Sequence, residues 1–266
     1  MARKKIMVLA NAAVIACLLF CVSMGSAQTQ SRGAAPKIKP ERVLAEYEHA
    51  AGLTELAPLQ NVHIKARMLP LSPGKVQDFD GVYSADGRRR ELTSTREDSL
   101  LSFDHSDGFD GKEYWSSDTE TRKPSIVFWE KHSEARFRPT PFQSFFFPFD
   151  AGWRTNPEHH FSVIGVAMVK DHKAIVVKDE RDEFYSTFYY FDAESFLLLR
   201  LDSVSQRRTA QKTQGRPYVT TFLFSNYKPM RAIQIPRTIR IDNELEISVD
   251  SVELNIKFDE KNYNRP

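Results

Sequence analysis

Residues 184–201 read FYSTFYYFDAESFLLLRL. Two apolar runs flank the polar tetrad Asp192-Ala193-Glu194-Ser195. Phe184, Phe188 and Tyr190 share one parity, and Leu197, Leu199 and Leu201 share another. Alternation of this kind around a polar turn predicts an antiparallel hairpin with one apolar face. The pattern recurs to the C-terminus, so the hairpin belongs to a large antiparallel sheet.

Working downstream, strands are expected over 218–224, 233–235 and 238–241, followed by a long strand from Leu245. In that last strand Leu245, Ile247 and Val249 are odd, whereas Val252, Leu254, Ile256 and Phe258 are even. The phase change predicts a β-bulge at Asp250-Ser251, which keeps both halves on the same core. Upstream, strands are expected over 161–169 and 173–178, with Lys170-Asp171-His172 as the turn. Nearer the N-terminus, Val62, Ile64, Ala66 and Met68 alternate with His63, Lys65 and Arg67. Four further segments, 76–83, 89–95, 99–103 and 112–115, are punctuated by Asp-Gly pairs at 80, 86, 107 and 110. Those pairs are expected to be hairpin turns.

One helix is expected. Val43, Leu44, Tyr47, Ala50 and Ala51 fall on one helical face, Pro40 suits the first turn, and Gly52 suits the position just past the end. Its apolar stripe requires a partner surface. Between about residues 117 and 157 the periodicity fails and aromatic residues accumulate, from Phe128 and Trp129 through Phe145, Phe146 and Phe147 to Trp153, with Pro139, Pro141 and Pro148 barring a long helix.

The first 27 residues read as a secretory signal: basic Arg3, Lys4 and Lys5, an apolar run over 6–22, and small residues at Gly25 and Ala27. A membrane anchor, or lipidation at Cys17 or Cys21, are the other readings of the segment. Residues 28–39 form a polar lead-in, and 40–266 are expected to be a single domain. Both cysteines of the 266-residue chain lie in the signal, so the mature chain has no thiol chemistry and no disulfide. Without the signal the formal charge falls from +2 to −1, which removes the electrostatic case for a nucleic-acid partner.

Catalytic signatures are missing from the sequence. It contains no Gly-x-Ser-x-Gly elbow, His-Glu-x-x-His, phosphate-binding loop or dinucleotide fingerprint. Adjacent His159 and His160 point to opposite faces of a strand, and read as solvated residues at a strand start rather than metal ligands. The acidic stretches at 78–81 and 104–111 lack EF-hand spacing and read as turns. Arg88-Arg89-Arg90 and Arg207-Arg208 read as a solvated turn or a charged edge strand, and Ser144, Asp150 and His159 have no spacing that supports a triad. No cofactor is expected. The aromatic middle segment, with the sheet and helix, either encloses a greasy cavity or fills a core.

Four places carry a resemblance to the LolA/LolB-like periplasmic lipoprotein carriers. They are the helix ending in Ala50-Ala51-Gly52 with the strand after it, the segment Asp110-Gly111-Lys112-Glu113-Tyr114-Trp115, the hairpin over 189–198, and the ending Phe224-Ser225-Asn226-Tyr227 with Ile233-Gln234-Ile235-Pro236. Ala232 departs from the glycine common in that ending. The resemblance implies an α+β, mainly antiparallel fold: a strongly curved, incomplete β-barrel with helices closing the concave face, in which the 184–201 hairpin is a central pair. It also implies a non-enzymatic periplasmic protein that binds acyl chains of lipid or lipoprotein and works with a membrane-associated donor or acceptor protein. A sensor or scaffold with a filled core, binding a protein partner, is the other function of the same fold. Candidate lining residues are Trp115, Phe128, Trp129, Phe145, Phe146 and Phe147.

Overall fold

In a computed structural model the chain divides into two compact units, Met1–Arg32 and Gly33–Pro266. The described residues are 38–55, 60–98, 101–112, 114–120, 159–180, 185–205, 217–230, 233–257, 259 and 263, all within the second unit. The expectations for residues 1–37 therefore lie outside them, as do Phe128, Trp129, Phe145, Phe146, Phe147, Ser144, Asp150, Arg207, Arg208 and Ala232.

The expected helix, α1, spans Pro40–Ala50, with proline in its first turn. Gly52 follows with φ +73, the left-handed conformation that ends a helix at least cost to glycine. Among the described residues twelve strands follow: β1 (Asn61–Pro70), β2 (Gln77–Ser84), β3 (Arg89–Asp98), β4 (Leu101–Phe109), β5 (Tyr114–Glu120), β6 (Phe161–Val169), β7 (His172–Glu180), β8 (Tyr185–Asp192), β9 (Leu198–Ser205), β10 (Tyr218–Met230), β11 (Ile233–Ile241) and β12 (Leu245–Leu254). They form one antiparallel sheet in the order β5-β4-β3-β2-β1-β12-β11-β10-β9-β8-β7-β6. Every neighbour is adjacent in sequence except β1 and β12, whose pairing joins the two halves of the meander. Among the described residues the edges are β5 and β6, so the sheet is open. The quoted hairpin, β8–β9, lies toward the β6 edge rather than at the centre.

One face, here the inner face, carries α1. Val62, Ile64 and Ala66 of β1 join Val249 and Val252 of β12, Ile239 of β11, and Phe222 and Phe224 of β10 in one buried cluster. Val43, Leu44 and Tyr47 complete it from the helix, with the Tyr47 and Phe191 rings 5.1 Å apart. The amide of Gln234 donates to the carbonyl of Ala51 at 3.1 Å, fixing the helix end against β11.

The bulge falls where the sequence phase changes. Lys65 pairs with Ser251 and Ala66 with Val249, leaving Asp250 as the extra residue. A second bulge corrects the reading of the quoted hairpin. Tyr190 pairs with Arg200 but Phe191 pairs with Leu198, so Leu199 is the extra residue. Tyr189 and Phe191, not Phe188 and Tyr190, join the core, and the bulge allows Leu198 and Leu201 to join it together. A strict period of two cannot describe a strand that contains an extra residue.

Two Asp-Gly pairs are not turns. Gly81 lies inside β2 and Gly108 inside β4. Each glycine makes room for aromatic rings: a Cβ on Gly81 would clash with the rings of Phe79 and Tyr83, and one on Gly108 with the indole of Trp115. Gly87 and Gly111 do occupy turns, with φ +89 and +99. The segments 233–235 and 238–241 are one strand through Pro236, because proline's φ suits an extended chain and only the amide donor is lost.

Candidate functional site

The inner face changes character across the sheet. From β7 round to β1 it is apolar. On β3 the residues that continue it are Arg89, Glu91, Thr93 and Thr95, paired with Tyr83, Gly81, Phe79 and Gln77 of β2. The Tyr83 hydroxyl donates to Glu91 at 2.6 Å and the Gln77 amide donates to Thr95 at 2.9 Å. Arg89, expected in a solvated turn, is instead only 9% exposed, because strand parity turns it onto the inner face beside Tyr83.

His159 also departs from expectation. Its side chain is 1% exposed and its Nδ1 lies 2.9 Å from Asp179 Oδ2, while the amide of His160 donates to Asp179 Oδ1 at 3.3 Å. The hairpin register puts Phe161 opposite Asp179, and the preceding histidine stacks on Phe161 at 5.3 Å. Sequence spacing could not show this pairing, since the partners are 20 residues apart. Buried as it is, the imidazole offers no substrate access. Among the described residues no group of three His, Cys, Asp or Glu side chains is placed to hold a metal ion.

Trp115 is 4% exposed and lies over Gly108. Its indole Nε1 donates to the carbonyl of Tyr263 at 2.9 Å, and the Arg88 guanidinium sits 4.9 Å from the centre of the Tyr263 ring. These contacts tie a C-terminal residue to the β4–β5 hairpin. Trp115 lines neither of the two hollows described next.

The larger hollow is a cleft of about 410 Å³ between the β6–β7 turn, the β8–β9 turn and β10. Its floor is apolar: Val169, Leu197, Leu199, Leu223, Phe224 and Tyr227. Phe224 belongs to the buried cluster, with Leu197 and Tyr227 packed against it, so the cleft opens directly onto the core. Local backbone geometry makes the space. Leu199 is the bulge residue of β9, and Lys170, Phe196 and Asn226 all have positive φ, between +54 and +58. Non-glycine residues held in that region cost free energy, and such sites cluster where a structure is shaped for function.

The rim is polar. His172 Nδ1 lies 2.9 Å from Asp192 Oδ2, and Asp192 Oδ1 accepts the amides of Glu194 at 2.9 Å and Ser195 at 2.8 Å. Burial alone would raise the Asp192 carboxyl; the Ser195 and Glu194 amides and His172 outweigh it and hold the carboxyl below its ordinary range. The Tyr227 hydroxyl donates to the carbonyl of Leu198 at 2.6 Å, and burial pushes its ionisation well above the ordinary value, with Tyr47 adding to the effect. The floor is therefore neutral and the fixed charge stands on the rim.

The second hollow, about 250 Å³, is lined by His63, Asp80, Val82, Arg90, Leu92 and Ile256. It lies below the range of roughly 300–1,000 Å³ usual for small-molecule sites. His63 and Asp80 are bonded across it at 3.0 Å.

The fold is similar to that of solved LolA-like proteins. A LolA superfamily protein from Nitrosomonas europaea superposes with a TM-score of 0.53 at 11% identity, covering 86% of this chain and 98% of the other. A Vibrio parahaemolyticus domain named for outer membrane lipoprotein sorting gives 0.50 at 12% identity, over 84% of this chain and 95% of the other. A DUF1329 family protein from Desulfovibrio piger also gives 0.50 at 12%, over 85% and 98%. No family model matches the sequence, and no curated protein matches it.

Proposed function

We propose that this chain is an exported, non-enzymatic protein of the periplasm that binds the apolar chain of a lipid or lipoprotein, as a carrier toward the outer membrane. The observation that carries the reading is the 410 Å³ cleft, ligand-sized, apolar at its floor and polar at its rim. Each methylene moved from water to such a floor contributes about 0.8 kcal/mol, so a chain of a dozen carbons is held without any covalent step. The LolA-like fold and the signal-like first 27 residues support the same reading. Under it, Phe128, Trp129, Phe145, Phe146 and Phe147 supply further apolar surface for cargo, and a membrane-associated donor or acceptor completes the transfer. Trp115, the remaining lining candidate, packs on Gly108 and donates to the Tyr263 carbonyl, and lines neither hollow.

A second reading has its own support. The inner-face cluster is densely filled, with Tyr47 and Phe191 both fully buried, as a scaffold that binds a protein partner would be. Native mass spectrometry of protein purified from periplasm, with lipid extraction, separates the two. Co-purifying lipid is expected. Its absence, together with no uptake of an acyl-chain probe, leaves the scaffold reading standing.

A further inference from the structure

The cleft's size and rim specify more about its occupant than the fold does. At about 410 Å³ it sits near the lower end of the range for small-molecule sites, too small for the several chains of a lipoprotein anchor. The rim carries hydrogen-bond donors whose capacity is unspent among the described residues. Lys170 has no ion pair there, and the side chains of Ser225 and Asn226 make no hydrogen bond there. The Ser195 hydroxyl is already engaged, bonded to the Asp192 carboxylate and accepting the amide of Leu197 at 3.4 Å.

The rim's anions are placed differently. Both oxygens of Asp192 are occupied by His172 and the two amides. The Asp171 side chain is 89% exposed, 4.0 Å from His172 Nε2, where water screens it. What faces an incoming head group is thus the ammonium of Lys170, the hydroxyl of Ser225 and the amide of Asn226 beside an aliphatic floor.

Resting on the chain-binding reading above, we infer that the cleft takes one molecule of a single-chain amphiphile with an anionic head, a carboxylate or a phosphate. The tail lies over Leu199 and Leu223, and Lys170 with the Ser225 and Asn226 side chains meets the head. A free fatty acid and a lysophospholipid share this chemistry.

The test titrates the chain lacking residues 1–27 with oleate, oleoyl lysophosphatidic acid, oleyl alcohol and dioleoyl phosphatidylglycerol, reading stoichiometry by native mass spectrometry and affinity by displacement of a fluorescent acyl probe. One oleate or one lysophosphatidic acid per protein is expected, about tenfold tighter than the alcohol, as one charge-assisted contact provides. The tighter of the two anions identifies the source of the head group. Lys170→Gln, a change at an exposed turn, should remove most of that preference by weakening the anions far more than the alcohol. Equal affinity for alcohol and anion, no effect of Lys170→Gln, or tighter binding of the two-chain lipid overturns the inference while leaving chain binding intact. If none of the four binds, both readings fall together.

Discussion

His172 Nδ1 lies 2.9 Å from Asp192 Oδ2, which ties the β6–β7 turn to the β8–β9 turn across the mouth of the cleft. The same carboxylate accepts the Glu194 and Ser195 amides, so one side chain organises both the rim and the hairpin turn. Asp192→Asn should cost about 1–3 kcal/mol at neutral pH, the usual cost of losing a charged acceptor from satisfied donors. The pH dependence has a definite sign. A carboxyl held low in the folded state stabilises the fold above its unfolded pKa of about 3.9, and that contribution is lost as pH falls through the lower folded value. Denaturant melts of the wild type and variant should therefore converge as pH drops below about 4. A gap that stays constant into acid would show that the charge is not the cause.

Gly108 and Trp115 form a size-matched pair. Gly108→Ala places a methyl against the indole and should destabilise by about 1–3 kcal/mol through overpacking. In a Trp115→Leu background the same change should cost much less, giving a coupling energy in a double-mutant cycle. Additive costs would mean the two residues do not share that space.

Tyr47 is the main anchor of α1. It is fully exposed to none of the solvent, sits 5.1 Å from Phe191, and burial pushes its ionisation far above the ordinary value. Tyr47→Ala should lower stability by about 3–5 kcal/mol, measured by urea unfolding. A loss below about 1 kcal/mol, the scale of an ordinary surface change, would mean the helix does not hold the sheet.

Asp250 tests the register. Asp250→Ala loses an exposed ion pair with Arg67 at 3.2 Å and should cost under about 1 kcal/mol. Deleting Asp250 removes the extra residue, so Val252 and Leu254 keep the face of Ile247 and Val249 in a regular strand and cooperative unfolding should be retained. A deletion variant that loses cooperative unfolding would contradict the pairing of Lys65 with Ser251 and of Ala66 with Val249.

The sequence made some of this visible and hid the rest for physical reasons. The Asp250 bulge was legible because Ile247 and Val249 change parity with Val252 and Leu254 over a long run. The Leu199 bulge was not, since in a run of three leucines every parity is apolar. Gly81 and Gly108 imitated turns because Asp-Gly is turn chemistry, whereas their glycines answer to rings at Phe79, Tyr83 and Trp115 that only the register brings near. The cleft could not be read at all. It depends on positive φ at Lys170, Phe196 and Asn226, and of these only asparagine commonly adopts that conformation. The acid–histidine pairs at His159–Asp179 and His172–Asp192 join residues 20 apart through hairpin register, which no local spacing reveals.

The central claim is that an acyl chain enters between the β6–β7 turn, the β8–β9 turn and β10. Methyl NMR of leucine-labelled protein, titrated with oleate, tests it most directly. The account predicts saturable shifts confined to Leu197, Leu199 and Leu223, with Leu44 of α1 unmoved. Shifts centred on Leu44, or none at the cleft leucines while oleate binds, would contradict it.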